Sequence, residues 1–441
     1  MKHHLFFFVS CCLLSFAASA QSSWESLWYE TPNGGSGSIV KAHSTSHNIT
    51  YFTQSFPSGP RGSFVLSEPD IHYFKRGYFI NGYFVNDFCI LDNIVYFCGS
   101  NANATQAIIG WFHADALLNI QPCTYTYWLP SDVTSLNKIV AFKKNGTIHN
   151  ACIGKYTYGN ESYQCIFETD YNSSTVNSAP SFLSYFFPAG NANYNTEWYS
   201  DIVVTDNYAA VIGERYDTEN MILIRRMSIN SSNPSTWDEF YTYGGLPPIE
   251  MAALPHATAM AGDTIALASL CSGSTGVSDF EIRVRFLNLS NCSMFRSQAI
   301  PILDKADLFD MTYVPKNHSL MLSLPSGAEC NLVRLSHLNA GNYTSWFVSM
   351  PGVSFPSICT SKNDLVVASN GWYLFAKQVS VNPLTHNSAC YFADKIAVYS
   401  ISSFPVVNSI SNFYQRSPSS SRSILTFQLD PYDMNSSCIS Y

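Results

Sequence analysis

Apolar runs reverse at short polar turns six times along this chain. The turns read Asp92-Asn93, Asn145-Gly146, Asp206-Asn207, Gly262-Asp263, Lys316-Asn317 and Asn363-Asp364. Their first residues are spaced by 53, 61, 56, 54 and 47 positions. Asn, Asp and Gly accept the positive φ that a two-residue hairpin demands. A hairpin-built repeat of this length predicts a β-propeller.

Each repeat reads as four strands. Around Asp206 they are 202–205, 208–213, 221–227 and 239–242. Around Asp92 they are 88–91, 94–99, 107–112 and 124–128. The first two strands are continuous apolar runs, as expected where neighbouring repeats cover both sheet faces. Outer strands alternate more, as in Glu281-Ile282-Arg283-Val284-Arg285-Phe286, and are expected to meet solvent. Small Ala209, Ala210, Ala266 and Ala268 suit a crowded inner ring. The expected architecture is all-β: a β-propeller of seven blades, six legible as repeats and one split between the ends. Residues 39–42 and 48–52 would form that blade with 397–400 and 424–428. Such a split removes exposed sheet edges.

Composition narrows the class. Hydrophobic residues make up 46% and charged residues 12%, which excludes a disordered or coiled-coil chain. A net charge of −8 and no basic patch exclude nucleic acid and anionic membrane surfaces as expected partners. Residues 1–20 read as a signal peptide: Met1-Lys2-His3-His4, an apolar core from Leu5 to Phe16, then Ala18-Ser19-Ala20. The mature domain would be 21–441, secreted to a periplasm or cell surface, with no membrane insertion after cleavage. Eleven cysteines follow the signal without a CxxC pair, so a structural zinc site is not expected. Buried thiols are the favoured reading. Cys152 and Cys165, placed symmetrically about residues 157–160, are the best candidates for a disulfide. Asn-x-Ser/Thr sequons occur at eleven positions, among them Asn48, Asn103, Asn145, Asn230, Asn288 and Asn291. The bacterial look of the leader's Ala-Ser-Ala-Gln ending argues against their use.

The segment 87–112 carries Tyr96-Phe97-Cys98-Gly99 and then Gly110-Trp111-Phe112. In this it resembles secreted propeller-type proteins of Bacteroidota-like bacteria. The resemblance implies a fold and an address, and no chemistry.

Catalytic motifs are missing from the sequence. There is no HExxH, no Gly-x-Ser-x-Gly elbow, no phosphate loop and no EF-hand. The segment 230–237 lacks the Ser, Asp and Gly of a sialidase box. His43 and His47 lie in a hairpin pattern that does not align them for a metal. No cofactor is implied. Asp87, Asp201 and Asp310 recur just before or within the first strand, and His256 precedes one. These four are the candidate ligand-binding residues at the mouth of a central channel. The plainer reading is that each Asp binds a backbone N–H. Tryptophans spread through the repeats suit either packing or sugar and peptide contact. The expected function is a non-catalytic binding or scaffold propeller recognising a glycan or protein on one face. The alternative is a carbohydrate-active hydrolase or lyase with its site in the central channel, which needs two facing carboxylates.

Overall fold

The computed structural model describes strand backbone in stretches between residues 25 and 439, and side chains in parts of 84–358. The leader expected at 1–20, a helical candidate at 114–118 and the Ser-rich stretch 417–423 lie outside the described residues. Among the described residues there is no α-helix.

The described strands form seven antiparallel sheets of five strands each. We number the sheets 1 to 7 by their first strands: Gly37–Ser44, Tyr83–Leu91, Val133–Lys144, Glu197–Val204, Met251–Ala259, Asp310–Val314 and Ser354–Ser361. Sheet 4 shows the unit. Glu197–Val204 pairs with Tyr208–Tyr216, which pairs with Asn220–Ser228, which pairs with Asp238–Tyr243. Each first strand packs against the first strand of the next sheet, and that of sheet 7 packs against that of sheet 1. The fold is a β-propeller.

The ends of the chain contribute differently from expectation. Residues 39–42 and 48–52 do not share a sheet with 397–400 or 424–428; they belong to sheet 1 with Gly59–Ser67 and Phe74–Asn81. The sheet whose first four strands come from the two ends is sheet 7, where Glu25–Trp28 pairs with Leu374–Ser380. The C-terminal segment supplies the fifth strand of every sheet, in reverse order. Phe392–Ala393 joins sheet 6, Tyr399–Ser400 sheet 5, Val406–Asn408 sheet 4 and Phe413–Arg416 sheet 3. Ile424–Gln428 joins sheet 2, Asp430–Tyr432 sheet 1 and Ser436–Ile439 sheet 7. This belt covers the outer edge that every fourth strand would otherwise present to solvent, the edge at which sheets aggregate.

Local chemistry explains the hairpins. Asp92 and Asn93 have φ of 50° and 62°, and Asn145 and Gly146 of 53° and 78°. Both residues of each pair are left-handed, which matches the turn twist to the strand twist. The turns of adjacent sheets also bind one another. Asp263 accepts hydrogen bonds from the Asn207 backbone N–H at 3.0 Å and from Asn207 Nδ2 at 2.9 Å. Asp206 N donates to Gly262 O. The first-strand turns of sheets 4 and 5 therefore lie on one side of the ring, here termed the turn face. The opposite side, where the chain enters each first strand, is the entry face.

The core lies between the sheets. Ile94–Ser100 and Ile265–Cys271 are buried at every position, as strands covered on both faces must be. Trp111 and Tyr96, both fully buried, join Leu136, Ile148 and Phe167 between sheets 2 and 3. Each such aliphatic or aromatic side chain contributes about 1.5–3 kcal/mol. One sequence expectation fails here. Residues 281–286 are not solvent-facing: Glu281, Arg283 and Arg285 are all at 0% exposure. Neighbouring sheets cover both faces of this third strand, so its alternation separates a buried ionic row from a buried apolar row.

Candidate functional site: the first-strand ring and its entry face

The first strands share a local irregularity. Pairing slips between Val85 and Asp87, Leu136 and Lys138, and Tyr199 and Asp201. A bulge of this kind re-aims the following side chain. The second strand supplies a glycine opposite each slip. A Cβ on Gly99, Gly154 or Gly213 would lie 1.8, 2.3 or 2.4 Å from the carbonyl oxygen of Phe84, Ser135 or Trp198. Only glycine permits that approach.

The three aspartates share one role. Asp87 Oδ2 accepts the Ile139 N–H at 2.9 Å, Asp201 Oδ2 the Ala257 N–H at 3.0 Å, and Asp310 Oδ2 the Ile358 N–H at 3.0 Å. Each bond crosses from one first strand to the first strand of the next sheet. The other carboxylate oxygen of Asp201 and of Asp310 accepts the N–H of the following residue, at 2.9 Å in both cases. Asp87 is buried; Asp201 and Asp310 are part-exposed.

His256 lies within the strand Met251–Ala259 and not in an entry loop. Its Nδ1 is 3.6 Å from Asp201 Oδ2, an ion-pair distance when the ring is protonated. The structure thus brings Asp201 and His256 together, while Asp87 and Asp310 serve other joints. Lys138 was missed in the sequence. It follows its own slip as Asp87 and Asp201 follow theirs, so that sheets 2 to 6 present Asp, Lys, Asp, His and Asp in turn. Burial alone would raise the Asp201 carboxyl. The Lys138 and His256 charges and the Ala257 N–H outweigh it and hold this carboxyl well below the usual range. The signal for Lys138 was its phase relative to the bulge, which the sequence does not display.

A second group sits where the sheet 4 first strand begins, at the entry face. Trp198 is 43% exposed. It stands opposite Glu214, and Glu197 stands opposite Arg215. Arg215 Nε donates to Glu197 Oε1 at 2.8 Å, Arg225 Nη2 donates to Glu197 Oε2 at 2.9 Å, and the Tyr199 hydroxyl donates to the same Oε2 at 3.3 Å. Arg225 lies over the Tyr199 ring, 5.9 Å from its centroid. Burial pushes the Glu214 carboxyl up. Side chains alternate along the strand, so Trp198 shares its sheet face with Glu214 while the Glu197–Arg215 pair lies on the other; an exposed indole with a carboxyl on its face is chemistry suited to sugar hydroxyls or peptide groups.

The expected Cys152–Cys165 bridge is not formed. Cys152 stands opposite Phe167 and Cys165 opposite Gly154, and both are buried thiols outside any disulfide. Symmetry about the turn set the wrong register, because the hairpin pairs Tyr158 with Glu161. Cys152 instead contacts Cys98 of sheet 2, and burial raises its thiol well above the usual range. Among the described residues no group of three His, Cys, Asp or Glu side chains forms a metal site.

No family model matches this chain, and no curated protein sequence is similar to it at a significant level. Solved structures resemble it in fold. The β-propeller domain of the Trilobed protease from Pyrococcus furiosus, described as an open velcro topology, aligns with a TM-score of 0.43 and 8% identity. That alignment covers 78% of this chain and 93% of the other. The NanB sialidase from Streptococcus pneumoniae gives 0.43 and 8%, over 81% and 71%. The Bombyx mori GH32 β-fructofuranosidase BmSUC1 gives 0.27 and 7%, over 92% and 93%. At such identities none of the three lends its chemistry to this chain.

Proposed function

We propose that this chain is an exported, non-catalytic binding propeller that engages a glycan or a protein segment at its entry face. The observation that carries the reading is Trp198. It is a large aromatic kept 43% exposed at the start of a first strand, beside a network that fixes the backbone under it. An exposed indole is worth holding rigidly when it stacks on a partner. The recurrent aspartates support binding over catalysis. Asp87, Asp201 and Asp310 each hold a different inter-sheet joint, so they do not form the facing pair that glycoside hydrolysis requires.

The test is a glycan-array and peptide-array screen of the full chain beside Trp198→Ala. Binding by the parent that drops at least tenfold in the variant, with unchanged melting temperature, supports the reading. Equal binding by both proteins removes Trp198 from it.

One observation favours the alternative, a carbohydrate-active hydrolase or lyase. Glu214, a carboxyl whose burial favours the protonated form, stands opposite Trp198, as a general acid would. Polysaccharide turnover abolished by Glu214→Gln would establish that alternative instead.

A further inference from the structure

The strand order sorts the sequons by face. Asn145 occupies the first-strand turn of sheet 3, and Asn230 follows the third strand of sheet 4. Asn288 and Asn291 lie at the hairpin joining Phe280–Asn288 to Ser293–Ile302 in sheet 5. In an antiparallel meander, the first-to-second and third-to-fourth turns share one end of the sheet. Direct contacts agree: Asn145 Nδ2 donates to Ser231 O at 3.3 Å, and Asn230 Nδ2 donates to Asn207 Oδ1. The backbone of Asn48 opens a second strand at the equivalent place in sheet 1, paired with Ser44. Five described sequons therefore lie at the turn face. Among the described sequons Asn103, between the second and third strands of sheet 2, lies at the entry side.

We infer that the turn face is an N-glycosylated surface, and that Asn103 on the entry side is a poorer acceptor than the described turn-face sequons. The inference goes beyond the binding reading and stands without it. Asn145, Asn230 and Asn291 are exposed, so a bulky sugar on each needs no rearrangement of the core. Asn291 is arranged well for the chemistry. Its Oδ1 accepts the Ser293 backbone N–H at 3.0 Å and the Ser293 hydroxyl at 2.6 Å, so the sequon serine is engaged by its own asparagine. Asn288 makes the same pair of contacts with Ser290 but is half-buried and lies three positions away, so a glycan on Asn291 crowds it. At Asn103 the geometry differs. The Thr105 hydroxyl accepts a hydrogen bond from Asn101 Nδ2 at 2.8 Å, and Asn101 Oδ1 accepts the Thr105 N–H at 2.8 Å. This contact spans four residues and forms locally, so the sequon threonine is engaged by the wrong asparagine.

The step is a group transfer from a lipid-linked oligosaccharide pyrophosphate. The Asn Nδ2 bonds to C1 of the reducing-end sugar, the C1–O bond to pyrophosphate breaks, and the amide gives up one proton. Lipid pyrophosphate leaves. One N–H remains on Nδ2, so Asn145 retains a hydrogen to donate to Ser231 O. A run of sequons on one face of a ring is not required by folding, because hairpin turns accept Asp and Gly equally well, as at Asp92 and Gly262. It implies export through a pathway that carries this transferase, against the bacterial look of the leader.

The test is peptide mass mapping of the full chain purified from the cells that produce it. Enzymatic release of N-glycans in heavy-oxygen water converts each occupied Asn to a labelled Asp. Labelled Asn145, Asn230 and Asn291, with lower labelling at Asn103, is the expected result. Absence of label from those three overturns the proposal. Labelling of Asn103 equal to theirs overturns the contrast between it and the turn-face sequons.

Discussion

Sheets 4 and 5 bury charge in two different ways. In sheet 4 a single carboxylate, Glu197 on the first strand, gathers Arg215 from the second strand and Arg225 from the third. The cluster spans three strands and reaches solvent at Arg215, whose side chain is 24% exposed. In sheet 5 the charges share one strand. Arg283 Nε donates to Glu281 Oε1, and Arg285 Nη1 donates to Ser269 Oγ at 2.9 Å. All four residues are at 0% exposure. Burial pulls the Arg285 guanidinium down to about 10, with the Arg283 charge adding to that and Glu281 opposing it; it remains a cation at neutral pH. Arg225 and Arg285 occupy matching places in their third strands, opposite Val211 and Leu267. The same position is thus wired to a first-strand carboxylate that also holds a part-exposed arginine in one sheet, and to a fully buried second-strand hydroxyl in the other. The sheet 4 arrangement underlies the exposed Trp198, whereas the sheet 5 arrangement serves the core.

Removing the central carboxylate should hurt sheet 5 more. Glu281→Gln leaves two buried guanidinium groups without their carboxylate and should cost about 3–5 kcal/mol in urea unfolding. Glu197→Gln should cost about 1.5–3 kcal/mol, because Arg215 can turn to water. It should also weaken any Trp198-dependent binding, which Glu281→Gln in a still-folded sample should not. Equal losses for the two variants would break the comparison.

The first-strand ring sharpens it from outside both clusters. Asp201 carries charge that is neither sealed nor solvent-directed; it joins sheet 4 to sheet 5. Its folded carboxyl lies below the unfolded one, so its stabilisation is present above the unfolded value of about 4 and fades as pH falls toward the folded one. Asp201→Asn should cost about 1.5 kcal/mol at neutral pH, since Asn keeps one acceptor oxygen for the two N–H groups that Asp201 serves and loses the charge that faces Lys138 and His256. Denaturation curves from pH 7 to 2 should show the gap between parent and variant closing below about 4. A gap that persists unchanged at pH 2 would mean that the Asp201 charge contributes nothing.

The sequence by itself determined whatever is local. The turn pairs are legible because Asp92, Asn93, Asn145 and Gly146 adopt left-handed backbone that few residues tolerate. The repeat is legible because strands covered on both faces must be continuously apolar, as Ile94–Ser100 is. The plainer reading of the aspartates, a bond to a backbone N–H, was also available from residue type alone. Tertiary structure decided the rest. The belt strands are two to five residues long with no period of their own, and only the open edges of seven fourth strands select them. Whether Glu281, Arg283 and Arg285 meet water depends on neighbouring sheets some fifty residues away in sequence, which alternation along one strand cannot report. The shared end of the sequons, and the joint between Asp201 and His256, exist only once separate hairpins stand side by side. Contacts across the ring are set by packing, and packing is invisible to a pattern that sees only its own neighbours.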